Sequence, residues 1–143
     1  MVRIVIADDD PDDRFLIKEA MNEVRFHNMV DFVHDGQELM DYLLHQNAYV
    51  ANKTDDVPGL ILLDLNMPKK SGIEVLQMIK QNEQLKNIPV VVLTTSADQH
   101  DIEQCYAYGV NSYIVKPITF DKLVMALRTF KEYWFELVRI PQQ

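Results

Sequence analysis

Cysteine is nearly missing: Cys105 stands alone, which excludes an intramolecular disulfide and any cysteine-pair metal or redox motif. Four glycines and six prolines in 143 residues leave little room for a low-complexity linker. No apolar run reaches the roughly 18 residues that a membrane-spanning helix needs, and no basic-then-apolar leader opens the chain. Positive charge is also scarce. Against 22 Asp and Glu stand 14 Lys and Arg, a formal net charge of −8, so the chain as a whole would repel a phosphate backbone. The histidines His27, His34, His45 and His100 lack metal-ligand spacing, so zinc is not indicated. Together these shortages predict a reduced, cytoplasmic protein that contacts neither nucleic acid nor membrane directly.

What is present is a globular mixture, 48% hydrophobic and 25% charged, at a length that matches one ordinary domain with one core. Apolar, β-branched runs alternate with helical patterns. "VRIVIA" (2 to 7) reads as a strand that breaks into "DDDPDDR", where Asp10 before Pro11 marks a helix start and Asp12 and Asp13 suit its first turn. That helix spans about 11 to 24, with Phe15, Leu16, Ile17 and Ala20 assigned to its inward face. "VDFVHD" (30 to 35) is a second strand, and Asp35 with Glu38 has capping-box spacing ahead of Leu39, Leu43 and Leu44. Residues 46 to 59 lack a period and read as a long exposed connection.

"LILL" (60 to 63) is a third strand ending on Asp64, followed by a helix from Ser71 carrying Ile73, Leu76 and Ile79. "VVVL" (90 to 93) is a fourth, followed by a helix capped by Asp98, carrying Ile102 and Cys105 and stopped by Gly109. "SYIV" (112 to 115) is a fifth, and the last helix runs from about 120 to 138 with Leu123, Leu127, Phe130 and Trp134. Five strands alternating with five helices predict an α/β, doubly wound, five-stranded parallel sheet covered on both faces. By precedent, five strands suit the order 2-1-3-4-5 of flavodoxin-like three-layer sandwiches, whose ligands sit outside the carboxyl ends of the strands.

In that order, the residues after strands one, three, four and five converge: Asp8 and Asp9, Asp64, Thr94 and Lys116. Three crowded carboxylates repel unless a cation lies among them, and hard oxygen ligands suit Mg²⁺. Asp64 could then attack phosphorus as a nucleophile, with Lys116 neutralising charge on the phosphoryl oxygens and Thr94 donating to them. Pro117 confines Lys116 to extended backbone, which aims it. Taken alone, Asp64 reads equally as an N-cap, and Lys116-Pro117 as an ordinary turn. Asp10, Asp12 and Asp13 read as helix-start acids rather than ligands.

"DD" after the first strand, "DLNMP" with Gly72 eight residues past Asp64, "VLTTSA" and "YIVKP" together resemble the receiver domain of two-component response regulators, over roughly residues 1 to 130. The resemblance implies that Asp64 is the phosphoacceptor. It implies that Asp8, Asp9 and Asp64 hold Mg²⁺ with the backbone carbonyl of Asn66, and that Thr94 and Tyr113 form a switch pair beside Lys116. It assigns Asn66 and Ser96, each two residues beyond a site residue, to phosphate lifetime. The face made by the fourth helix, fifth strand and fifth helix is then the expected site of dimerisation or docking.

The long 46 to 59 connection and the apolar tail "YWFELVRIP" are similar to those of stand-alone regulators that partner phytochrome-type histidine kinases. The expectation is one receiver domain over 1–143 with an extended tail from about 131, no output domain, and a sensor histidine kinase as partner. A homodimer through the tail and a tail folded back on its own domain stand about even. The competing class is a Mg²⁺-dependent phosphohydrolase passing through aspartyl phosphate. Such enzymes commonly carry a second acid two residues past the nucleophile, where this chain has Asn66.

Overall fold

The computed structural model describes residues 2–51 and 57–141. Five parallel strands, β1 (Ile4–Ala7), β2 (Val30–Val33), β3 (Leu60–Leu63), β4 (Val90–Thr94) and β5 (Ser112–Val115), pair in the order β2-β1-β3-β4-β5. Between and after them lie α1 (Pro11–Glu23), α2 (Gly36–Leu44), α3 (Gly72–Gln81), α4 (Gln99–Ala107) and α5 (Phe120–Lys131). Sheet order and element sequence are those expected.

Alternation along the strands divides the core. Val5, Ala7, Ile61, Leu63, Val90 and Val92 face one layer, with Leu39, Leu76, Ile79 and Cys105. Ile4, Ile6, Leu60, Leu62, Val91 and Leu93 face the other, with Ile17, Leu123, Leu127 and Phe130. Every residue of β1, β3 and β4 is buried, the pattern of a sheet covered on both sides. Each such Ile or Leu contributes roughly 1.5–3 kcal/mol relative to exposure.

Helix starts follow their caps. Asp10 accepts from the N–H groups of Asp12 and Asp13, Ser71 from that of Glu74, and Asp98 from those of His100 and Asp101. At α2, Asp35 accepts from the Glu38 N–H at 2.7 Å, while the Glu38 carboxylate accepts from the His34 N–H at 2.6 Å, one residue before the cap. Gly109 takes φ +95° beyond α4, the left-handed turn that glycine permits without strain.

Four local expectations need correction. In α1, Phe15 and Leu16 are exposed, at 61% and 40%, and the buried stripe is Ile17, Ala20 and Met21. The i, i+3, i+4 spacing picks those three; Phe15 and Leu16 lie off the stripe. Strand β2 ends at Val33 rather than 35, because Asp35 caps α2 instead. The 46 to 59 connection is not wholly exposed: a 3-10 turn at Asn47–Tyr49 folds along α2, and Pro58 is buried. Tyr49 packs edge-on against Tyr42 at 5.3 Å and donates to Glu38 at 2.8 Å, and burial with that bond pushes its hydroxyl up to about 12. Residues 52–56 of this connection lie outside the described set.

The last helix is α-helical only to Lys131. It continues as a π-helical segment, Glu132–Leu137, closed by the Val138 N–H on the Tyr133 carbonyl at 3.0 Å. The wider turn brings Phe135 edge-on to Phe26 at 5.4 Å and to Phe130 at 6.0 Å, and Lys131 donates to the Val24 carbonyl at 2.9 Å. Trp134, Phe135 and Ile140 thus pack on the layer holding α1 and α5, while Tyr133 and Leu137 stay exposed. No described helix is long and apolar enough to cross a membrane.

Candidate functional site

Among the described residues, three polar side chains are buried: Asp8, Asp64 and Thr94. All three stand at the carboxyl edge of the central strands. Ladder-type bonds fix their backbones there, from the Asp8 N–H to the Val33 carbonyl, from Asp64 to Ala7, and from Lys116 to Thr94, at 3.1, 3.0 and 2.7 Å. Burying a carboxylate is costly unless a cation compensates it, so the placement needs a partner.

Lys116 is one such partner. Its ammonium lies 2.7 Å from Asp8, 2.8 Å from Asp13 and 3.2 Å from Asp64. Burial alone would lower the Lys116 pKa. The bonds to Asp13 and Asp8 and the charge of Asp64 outweigh burial and raise it, so the ammonium persists. Burial pushes the Asp8 carboxyl above its ordinary range, against the lowering pull of Lys116 and of the Asp10 N–H. Asp9 is exposed, yet one oxygen from each of Asp8, Asp9 and Asp64 can lie within 4.8 Å of the others. This all-oxygen, carboxylate-rich donor set fits a hard divalent cation.

Two glycines hold the loop after β3 in place. A Cβ on Gly72 would meet the Asp64 carbonyl, and a Cβ on Gly36 the Lys70 carbonyl. Lys69 in that loop takes φ 66° and pairs with Asp35, the α2 cap, at 3.5 Å. Asn66, exposed in the same loop, donates its N–H to Asp64 at 3.4 Å.

On the other side, Thr94 Oγ1 accepts from the Ser96 N–H at 3.5 Å. The Ser96 hydroxyl donates to Asp101 at 2.7 Å, and its carbonyl accepts from the Tyr113 hydroxyl at 2.8 Å. Tyr113, half-buried, is thereby tied to the loop that begins at Thr94, and burial raises its pKa. The expected residues therefore gather at one edge: Asp8, Asp64 and Lys116 meet directly, Asp9 adds an oxygen beside the two aspartates, Asn66 and Ser96 lie on flanking loops, Thr94 ends β4, and Tyr113 reaches Ser96 from β5.

Two participants escaped the sequence reading. Asp13 is a helix-start acid, as expected, but its carboxylate also reaches Lys116. Arg14 donates to the Asp8 carbonyl at 2.8 Å and braces the turn after β1. The signal was there: both lie one helical turn past the aspartates that end the first strand.

The sequence pattern of the response regulator receiver domain matches residues 4–128. The chain belongs to that family. Among relatives, the probable methanogenesis regulatory protein FilR2 of Methanothrix harundinacea is 38% identical, the match covering 96% of this chain and 86% of FilR2. The response regulator Rcp1 of Synechocystis sp. is also 38% identical, over 96% of this chain and 92% of Rcp1. Rcp1 has been solved in a Mn²⁺-bound form that superposes with a TM-score of 0.90 and covers 99% of this chain and 100% of that one. The phosphorylated cyanobacterial phytochrome response regulator RcpA superposes equally well, at 0.90 with 39% identity over 99% of both chains. This receiver thus shares its fold over nearly its full length with phytochrome response regulators.

Proposed function

We propose that this receiver accepts a phosphoryl group from a histidine kinase onto Asp64 and signals through its α4, β5 and α5 surface. The single observation that carries the reading is the burial of Asp8 and Asp64 against Lys116 at the carboxyl edge. Asp8, Asp9, Asp64 and the carbonyl of Asn66 would hold Mg²⁺, which when bound supplies charge neutralisation at the phosphoryl oxygens. A carboxylate oxygen of Asp64 attacks phosphorus, forming an acyl phosphate. The bond from phosphorus to the donor nitrogen breaks, and that nitrogen keeps the electron pair. Lys116 follows the charge onto the phosphoryl oxygens, and the Thr94 hydroxyl donates to one of them. Thr94 and Tyr113 then act as the switch, since both already bond to Ser96 and a pull on one displaces the loop that holds the other. Asn66 and Ser96 tune the phosphate lifetime.

Intact mass after incubation with Mg²⁺ and a small acyl phosphate tests the reading. One phosphate gained, and none with chelator, is the expected outcome. Failure to gain phosphate together with failure to bind beryllofluoride would sink it.

The donor must cover the mouth of the site to bring phosphorus to Asp64. Asp13, Leu16, Lys116, Pro117, Ile118 and Leu123 help line a cavity of about 180 Å³ at that mouth, where Leu16 and Ile118 are exposed apolar side chains. A kinase surface fits here, and the kinship with the phytochrome response regulator RcpA makes a phytochrome-type kinase in the cytoplasm the first candidate. Replacing both Leu16 and Ile118 with alanine is expected to slow transfer from the kinase about tenfold or more relative to transfer from acetyl phosphate. Equal slowing of both would put the residues outside donor docking.

A second copy is proposed for the α4, β5 and α5 surface with the tail, where Tyr106, Val115, Met125, Tyr133 and Leu137 are exposed. One receiver unit over 1–143, with its tail as part of this surface, is the arrangement we favour. Sedimentation of the beryllofluoride form is expected to show a dimer that Leu137→Asp weakens; a monomer at high concentration would remove the idea.

A further inference from the structure

Asp13 carries more than the start of a helix. It occupies the third position of α1, and its backbone N–H engages Asp10 at 3.4 Å. Its carboxylate crosses the mouth of the site to the Lys116 ammonium at 2.8 Å. Together with Asp8 and Asp64 it gives that ammonium one acceptor for each of its three N–H donors. The three acceptors are not equivalent. Asp8 and Asp64 belong to the cluster of oxygens that could hold a cation, and Asp13 does not.

A divalent cation on Asp8, Asp9 and Asp64 would claim two of the three partners of Lys116 and repel the ammonium at the same time. A lysine with no other partner would then be left unpaired in a half-dry cleft, where its side chain is only 11% exposed. Asp13 removes that penalty. The geometry points to Asp13 as a positioning residue that keeps Lys116 at the mouth when Asp8 and Asp64 turn to the cation, so that cation and ammonium share one site. Asp13 and Lys116 also line the same cavity of about 180 Å³, where an incoming phosphoryl group would meet the ammonium first. The inference rests on the receiver reading given above.

Asp12 supplies the control, since it lies one residue away, bears the same charge, is exposed, and makes no ion pair among the described residues. Mn²⁺ titrations followed by the paramagnetic resonance of the free ion, at fixed ionic strength, compare wild type, Asp13→Asn, Asp13→Glu and Asp12→Asn. The expected result is a dissociation constant about threefold or more higher for Asp13→Asn than for Asp12→Asn, the scale of one lost ion pair. Asp13→Glu, which can still reach the lysine, stays within about twofold of wild type. In a Lys116→Met background the effect of Asp13→Asn shrinks to that of Asp12→Asn, because the residue through which it acts is gone. Equal constants for Asp13→Asn and Asp12→Asn on the native background overturn the proposal. A wild-type chain without any Mn²⁺ site overturns it too, but does so by removing the receiver chemistry beneath it, and the two failures look different in the same titration.

Discussion

The Asp64→Asn variant is expected to gain no phosphate from an acyl phosphate donor, with or without Mg²⁺, while folding normally. The amide oxygen of asparagine is a poor nucleophile, and no neighbouring group can substitute at the same place. Asp8 lies beside it, but its backbone is fixed one strand away and its side chain is committed to Lys116 and the Asp10 N–H. The substitution also takes one negative charge out of a crowded trio, since Asp64 is among the influences that raise the Asp8 pKa. Divalent cations should therefore bind more weakly, and thermal stability in chelator should be equal to or above wild type. Intact mass and a melting curve on the same sample check both halves. Phosphate retained by Asp64→Asn would move the acceptor elsewhere and dismantle the assignment.

The second large effect is expected at Gly72 and Gly36, where no residue participates chemically. A Cβ on Gly72 would press on the Asp64 carbonyl and the Leu65 Cα, both backbone atoms that cannot swing aside as a side chain would. A Cβ on Gly36 would do the same to the Lys70 carbonyl. Alanine at either position should cost about 1–3 kcal/mol, in the range of overpacked cores, read as a lower denaturant midpoint at unchanged slope. The two should differ functionally. Gly72→Ala displaces the segment that carries Asp64 and Asn66, so phosphate gain should fall further than stability alone explains, whereas Gly36→Ala pushes on the far end of the loop. A Gly72→Ala protein with wild-type stability would show that the loop can move away freely.

How far the sequence could be read depended on which force placed each residue. The central strands were legible because β1, β3 and β4 are short apolar runs buried on both faces, and nothing competes with that arrangement for "LILL" or "VVVL". The site was legible for the same reason: a carboxylate or lysine closing such a run must emerge at the strand's carboxyl end, beside its neighbours. Phe15 and Leu16 were misread because their hydrophobicity suggested burial, while helical phase placed them outside it. Tyr49 was missed because what orders it is a hydrogen bond to Glu38 and an aromatic contact, neither of which leaves a periodic trace. Asp13 hid behind a sufficient explanation, since helix starts attract acids in any protein. The π-helical turn had no marker in the local sequence, and it becomes intelligible only once Phe26, far back in the chain, is placed against Phe135.

That aromatic packing makes the C-terminal segment an occupant of its own domain. A partner seeking the inner face of Phe135 or Trp134 cannot simply add itself; it must first evict them and expose Phe26 and Phe130, so its net affinity is the difference between two similar burials. A partner gripping Leu137 or Tyr133 meets no such competition. The tail is therefore selective by default: its outer side is open to partners, and its inner side yields only to one that can replace what the protein already covers.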